Sequence, residues 1–343
     1  MKTKSFAIAA IAAALSVSCS GDYTLQNPDP QEGGDTVTLN VSLACPSTKA
    51  IIAPGNTDDM SFHNAQIFVY NKLGKLEAKS GPVTVSENIS LDIVPGQKTV
   101  WAIVNAPELQ LNIGATQTPG EQRSLLSDNT LSSLVMSGSK SETVSTSTNI
   151  SIAVKHIASK VVLSSILRNF ENPEYNEVPL TVKKIYMSNV AADCDYDCTG
   201  TAPAVWNCQK GVLANPAENA ALLLQSGLNI ALPQGGPAHE TAYTFYVYPN
   251  PTTQDSTDDT WCPRKTRLVL ECDYNGRTCY YPLTIRTDSI ERNKVYRISA
   301  LTLKHPGSVS PDKSGPEVSS DVACTFSVTV SDWEDVTPYA EEF

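Results

Sequence analysis

Apolar and polar residues alternate with a period of two along much of this chain. The first such run is 36–43, where Val37, Leu39, Val41 and Leu43 fall on one face and Thr36, Thr38, Asn40 and Ser42 on the other. The same strand signature predicts elements at 67–70, 83–85, 89–93, 99–104 and 149–154. It returns at 160–163, 180–190, 243–248, 266–272, 279–285 and 295–303. Turns separate the runs, at 71–74 and at Pro95-Gly96 for example. The final run, 322–330, sets Val322, Cys324, Phe326, Val328 and Val330 on one face. Only 125–135 and 217–224 read as short helices. Many short strands between closely spaced turns specify an all-β fold of sandwiches rather than a parallel α/β sheet.

Breaker-rich stretches divide this series. The chain has 343 residues, more than one hydrophobic core accommodates, so two domains are expected. Lys2 and Lys4 precede an apolar run, 6–17, that is too short to span a bilayer. Small residues then lead to Cys19, the pattern of a lipoprotein signal peptide. The competing reading is an ordinary signal peptide cut nearby. Residues 20–35 are polar, with Pro28, Pro30, Gly33 and Gly34, and read as a tether. The N-terminal domain is expected over 36–154 and the C-terminal domain over 155–305, followed by a Pro-, Ser- and Gly-rich linker and the last strand over 306–343.

Both ends of the folded region therefore carry an isolated amphipathic strand. Such a strand must bury its apolar face and pair its backbone. Pro46 to Ala50 interrupts the chain after the first strand and includes a basic site at Lys49-Ala50. A cut there, with loss of 36–45, would open a groove. The last strand of a second copy could fill it by strand addition, and a head-to-tail contact that does not close makes a filament. The plainer reading is two ordinary edge strands of a sandwich.

Charge and candidate chemistry narrow the remaining functions. A net charge of −11 leaves nothing to track a phosphate backbone, so no nucleic-acid partner is expected. Of nine cysteines, eight remain once Cys19 is set aside. Cys272 and Cys279 flank an Asn275-Gly276 turn whose register sets them opposite each other, so a disulfide and two buried thiols are both open readings. Cys194, Cys198, Cys208 and Cys262 allow further bridges. Cys194 and Cys198 also have permissible zinc spacing, but no CxxC pair or HxxxH partner accompanies them. The acidic run 255–259 lacks the calcium loop pattern and reads as solvated. Tyr243, Phe245, Tyr246 and Tyr248 read as strand core in preference to a sugar-stacking platform. No cofactor is expected, and no hydrolase, zincin, P-loop or dinucleotide motif is present to support an enzyme.

Five segments in order resemble the fimbrillins, the type V pilins of Bacteroidia. They are the start at Cys19; the alternating strand followed by Thr48-Lys49-Ala50; Val94-Pro95-Gly96 with Trp101 to Ala106; Met136-Ser137-Gly138 with His156 to Val161; and the ending. The ending comprises Val295-Tyr296-Arg297 to Leu303, His305 to Ser308, and Phe326 to Trp333. The resemblance implies two tandem transthyretin-like β-sandwich domains with minor short helices. It implies a lipid on Cys19, passage through the periplasm, and outer-membrane lipid as the anchor of the precursor. It implies a trypsin-like protease cutting between Lys49 and Ala50, and other pilin subunits as head-to-tail partners in a surface fimbria. The long C-terminal extension points to a stalk subunit. The competing function is a tip or monomeric surface lipoprotein, an adhesin that binds glycan or host protein.

Overall fold

The computed structural model describes residues 35–44, 59, 61–84, 89–199, 202–212, 220–253, 255, 263–285, 289–312 and 324–333. Strands dominate, as the period-two pattern predicts, and they form several sheets. A three-stranded sheet is ordered Ile89–Ile93, Val37–Ala44, Thr148–Ala153. Opposite it lies a larger sheet built on Asn64–Asn71, Gly96–Val104 and Met136–Val144, with Leu76–Lys79, Val83–Thr84 and Lys155–His156 added at its margins. Leu39, Val41, Ile150 and Ile152 of the small sheet meet Ile67, Val69, Val100 and Ala102 of the large one in one apolar cluster.

Asn64–Asn71 is buried on both faces. Ala65, Ile67 and Val69 enter that first cluster, whereas Phe68 and Tyr70 join a second and larger one. The second cluster holds the core of the C-terminal half. One of its five-stranded sheets contains Ser159–Leu163, Ile166–Arg168, Tyr243–Val247, Lys294–Leu303 and Cys324–Asp332. The other contains Leu180–Ser188, Leu224–Gln225, Ile230–Ala231, Arg267–Tyr274 and Arg277–Thr284. The described residues from Thr36 onward belong to one compact unit. Polar ties reinforce it: Arg123–Leu125 pairs with Asp193–Asp195, and the Arg123 guanidinium binds both Asp193 and Asp195.

Two local readings change. No α-helix forms over 125–135. Strand Arg123–Leu125 runs instead into a short 3-10 turn, Leu126–Asp128. The Asp128 carboxylate accepts from Leu125 N at 2.8 Å, and Asn129 Oδ1 accepts from Val135 N at 2.8 Å. These side chains offer the backbone partners that a helix would otherwise supply. In the second predicted helix, 217–224, the described helical part is Ala220–Leu223, and Leu224–Gln225 already pairs as a strand with Tyr186 and Ile185. The hairpin follows its turn chemistry: Tyr274 lies opposite Arg277, Asp273 opposite Thr278 and Cys272 opposite Cys279. Asn275 and Gly276 both adopt positive φ, 55° and 75°, as this turn requires.

The strand Met136–Val144 carries no clean alternation, being rich in Ser, Lys and Glu. It forms because Gly96–Val104 offers a full antiparallel ladder along its length. Gly138 lets it approach the chain crossing between sheets, since a Cβ there would stand 2.1 Å from the Ala153 carbonyl oxygen. Gly138→Ala is therefore expected to lower unfolding stability by roughly 1–3 kcal/mol, read as a shift of the urea midpoint.

Candidate functional site

The candidate site consists of the two terminal strands and what each one covers. Val37–Ala44 is the central strand of its sheet. Val37 to Val41 run antiparallel to Ile93 to Ile89, and Leu39 to Ala44 run parallel to Thr148 to Ala153. Its inward side chains follow the expected face: Leu39 and Val41 are fully buried, and Val37 and Leu43 pack against the same cluster. Its outward side makes a polar ladder. Asn40 Nδ2 donates to Asn149 Oδ1 at 2.9 Å, Ser90 Oγ donates to Asn40 Oδ1 at 2.7 Å, and Thr38 Oγ1 donates to Asp92 Oδ1 at 3.2 Å. Removing this strand would leave two facing strand edges unpaired and expose the apolar floor between them.

Cys324–Asp332, by contrast, pairs with one strand among the described residues. It lies antiparallel along Lys294–Leu303, with a register shift between Ser299 and Thr302 where Ala300 takes a positive φ of 53°. Burial along its apolar face is uneven. Cys324 is buried, Phe326 and Val328 are half-buried, and Val330 is 38% exposed. A strand with an alternating face as regular as that of the first strand thus covers much less.

Its end is held more firmly than its middle. Trp333, 4% exposed, stacks on His156 with ring centroids 4.0 Å apart and planes within 16°. Tyr246 stacks at 5.9 Å, and Lys160 Nζ lies 5.7 Å from the centroid of the Trp333 ring. Trp333 N donates to the Asn293 carbonyl at 3.0 Å. Beneath the tryptophan, the Asp59 carboxylate accepts from Lys160 Nζ and from the Tyr246 hydroxyl. His156 Nε2 donates to the Asp59 carbonyl oxygen at 2.7 Å. Next to this cluster Arg292 gathers backbone carbonyls from Lys155, His156, Ser137 and Tyr196.

The linker is anchored before it reaches the last strand. Ser308 exchanges both backbone hydrogen bonds with Tyr280, each 2.8 Å. Asp312, almost fully buried, binds Arg264 at 3.1 Å and also Arg267, whose guanidinium binds Asp255 as well. Asp255, from the run read as solvated, is thus committed to an ion pair.

Several sequence candidates lie outside the described residues: Cys19, Cys45, Lys49, Ala50, Val322, Cys262 and most of 255–259. Cys272 and Cys279 face each other as buried thiols. The sulfurs of Cys194 and Cys198 are 3.3 Å apart, and among the described residues no group of three His, Cys, Asp or Glu side chains could hold a metal ion. Phe245, Tyr246 and Tyr248 are buried strand core, and Tyr243 packs at the margin. Asp59 and Arg292 carried no sequence signal, because each is a single charge far in sequence from its partners.

Comparison of the sequence with protein-family models and with curated proteins gives no match. Solved structures do match the fold. A Bacteroides eggerthii protein assigned to cell adhesion superposes with a TM-score of 0.61 at 17% identity, over 88% of this chain and 97% of that one. Fimbrilin FimA of Porphyromonas gingivalis gives 0.59 at 15% identity, over 87% of this chain and 97% of that one. This chain has the fimbrillin fold. The tip fimbrial protein Mfa3 of Porphyromonas gingivalis, in a C-terminally truncated form, also shares it, with a TM-score of 0.51 at 12% identity over 87% of this chain and all of that one. Within this fimbrillin fold, the segments that carried the sequence resemblance, around Ser137, His156 to Lys160, Tyr296 and Trp333, converge around Arg292 and Asn293.

Burial is the main force on His156: it holds the imidazole neutral and lowers its pKa from 6.5 to about 4. Lys160 adds to that, whereas Asp59 and Asn293 oppose it. The folded state therefore binds fewer protons than the unfolded state between these values. The stability this confers is complete above about pH 6.5 and is lost as pH falls toward 4. Urea titrations are expected to show a loss of roughly 2 kcal/mol between pH 7.5 and pH 5 from this group, and His156→Gln is expected to flatten that slope.

Proposed function

We propose that this chain is a structural subunit of a cell-surface fimbria that polymerises head-to-tail by strand exchange, and that it is not an enzyme. The reading rests on one observation, the unequal seating of the terminal strands. The first strand is central and paired along most of both edges, whereas among the described residues the last holds a single partner strand and leaves Val330 exposed. Moving into a vacated groove, the last strand would gain a second partner strand, with each added backbone hydrogen bond contributing roughly 1 kcal/mol. It would also place Cys324, Phe326, Val328 and Val330, and Val322 before them, where Val37, Leu39, Val41 and Leu43 now lie. The fold shared with fimbrilin FimA supports the same reading.

In this proposal the precursor crosses the periplasm as a lipoprotein, anchored in the outer membrane through Cys19. A trypsin-like protease cuts between Lys49 and Ala50 and releases the first strand. Residues 36–154 and 155–305 act as two sandwich units, and the Cys272 and Cys279 thiols, which face each other across the hairpin, would close a disulfide in the second on oxidation in the periplasm. A second reading, a tip or monomeric adhesin, draws on the pairing of the last strand within its own chain and on the fold shared with the tip protein Mfa3.

One comparison separates the two. Protein beginning at Ala50 is expected to form SDS-resistant ladders on gels. The same protein lacking 322–343 is expected to run as a monomer. Ladders that persist without those residues would defeat strand donation and leave the adhesin reading.

A further inference from the structure

The Trp333 cluster has a geometric relation to the groove that the strand-exchange reading does not itself require. The first strand ends with Ala44 opposite Ala153, and the Ala44 carbonyl accepts from Val154 N at 3.0 Å. His156 follows two residues later, a strand distance of roughly 7 Å. The end of the groove therefore opens next to the side chains that hold Trp333.

The two terminal strands also share one spacing. Val37, Leu39, Val41 and Leu43 match Cys324, Phe326, Val328 and Val330 in steps of two. Set in that register and direction, a donated strand would carry its Trp333 as far past Val330 as Pro46 stands past Leu43. The first strand runs parallel to Thr148–Ala153, so an incoming strand in its place would continue past Ala44 in the direction in which the chain goes on from Ala153 to His156. In this structure the chain's own Trp333 is buried against His156, Tyr246 and Lys160.

We propose that the pocket formed by His156, Lys160 and Tyr246 is the docking site for Trp333 of a second copy of this chain, and that a subunit's own Trp333 occupies it until its last strand is given away. This inference rests on the strand-exchange reading and adds an order of events to it. A subunit whose own tryptophan still fills the pocket cannot receive the full length of an incoming strand. Giving and receiving are thereby coupled, and growth proceeds along the chain of subunits that have already donated. The charged and polar groups around the pocket belong to the acceptor: Asp59 holds Lys160 and Tyr246 in place, and Asn293 supplies the backbone carbonyl that now binds Trp333 N.

Photocrosslinking tests it. The photoreactive residue p-benzoylphenylalanine replaces Trp333 in protein beginning at Ala50, and nitrogen-15-labelled and unlabelled subunits are mixed before assembly. Crosslinks from position 333 to peptides containing His156, Lys160 or Tyr246 are expected in ladder bands with about half of the pairs mixed-isotope, the share that random contact between subunits of an equal mixture gives, and as same-isotope pairs alone in unassembled monomer. Same-isotope pairs alone within ladders, or crosslinks from 333 that avoid these peptides, would overturn the pocket while leaving strand exchange standing. Absence of ladders would remove both. In the untrimmed full chain, Trp333→Ala is expected to speed amide exchange over 324–332 by about tenfold or more, and unchanged protection there would show that Trp333 does not retain the strand.

Discussion

An amphipathic β-strand makes two demands at once: its backbone needs partners on its edges, and its apolar face needs a floor. The first strand of this molecule meets both demands along most of its length, because it lies between two strands and over the core of its sandwich. The last strand meets them in part, with one paired edge and a face that ends in an exposed valine. The rest of the molecule is arranged around that difference. The same chain contains a central seat with partners on both edges and a strand that is paired on one edge among the described residues.

What holds the last strand is concentrated at its two ends. Before it, Asp312 joins two buried arginines, so the chain is fixed to the C-terminal body up to that point. After it, Trp333 lies in a stack of aromatic rings supported by an ion pair. The ladder between is interrupted by a bulge at Ala300. Strong ends with a weaker middle are what the proposed strand exchange would use. Breaking the tryptophan contact would free the far end while Asp312 kept the near end attached to the C-terminal body.

The Trp333 stack also unites parts of the chain that are distant in sequence. Asp59 follows the segment containing the proposed cut, His156 and Lys160 lie where the chain passes from one half to the other, and Trp333 closes the last strand. Arg292 adds the strand bearing Ser137 and the turn at Tyr196. Low solvent access makes each of these polar contacts costly to leave unpaired, which binds the segments into one cooperative unit. A neutral histidine at the centre makes that unit sensitive to acid.

The sequence by itself determined which segments are strands, which face of each is apolar, and the register of the Asn275-Gly276 hairpin, because these depend on neighbours one to four residues apart. It also marked both terminal strands as isolated. Of the helix it suggested over 125–135 only a 3-10 turn at Leu126–Asp128 forms, because Asp128 and Asn129 supply local hydrogen bonds, and it passed over Met136–Val144, whose strand character comes from the ladder beside it. Only the tertiary structure decided that the first strand is central, that the last is an edge, and that Asp59, His156, Lys160 and Trp333 meet. Those facts depend on which edges and side chains are brought together across tens to hundreds of residues of chain. No local pattern encodes such a pairing.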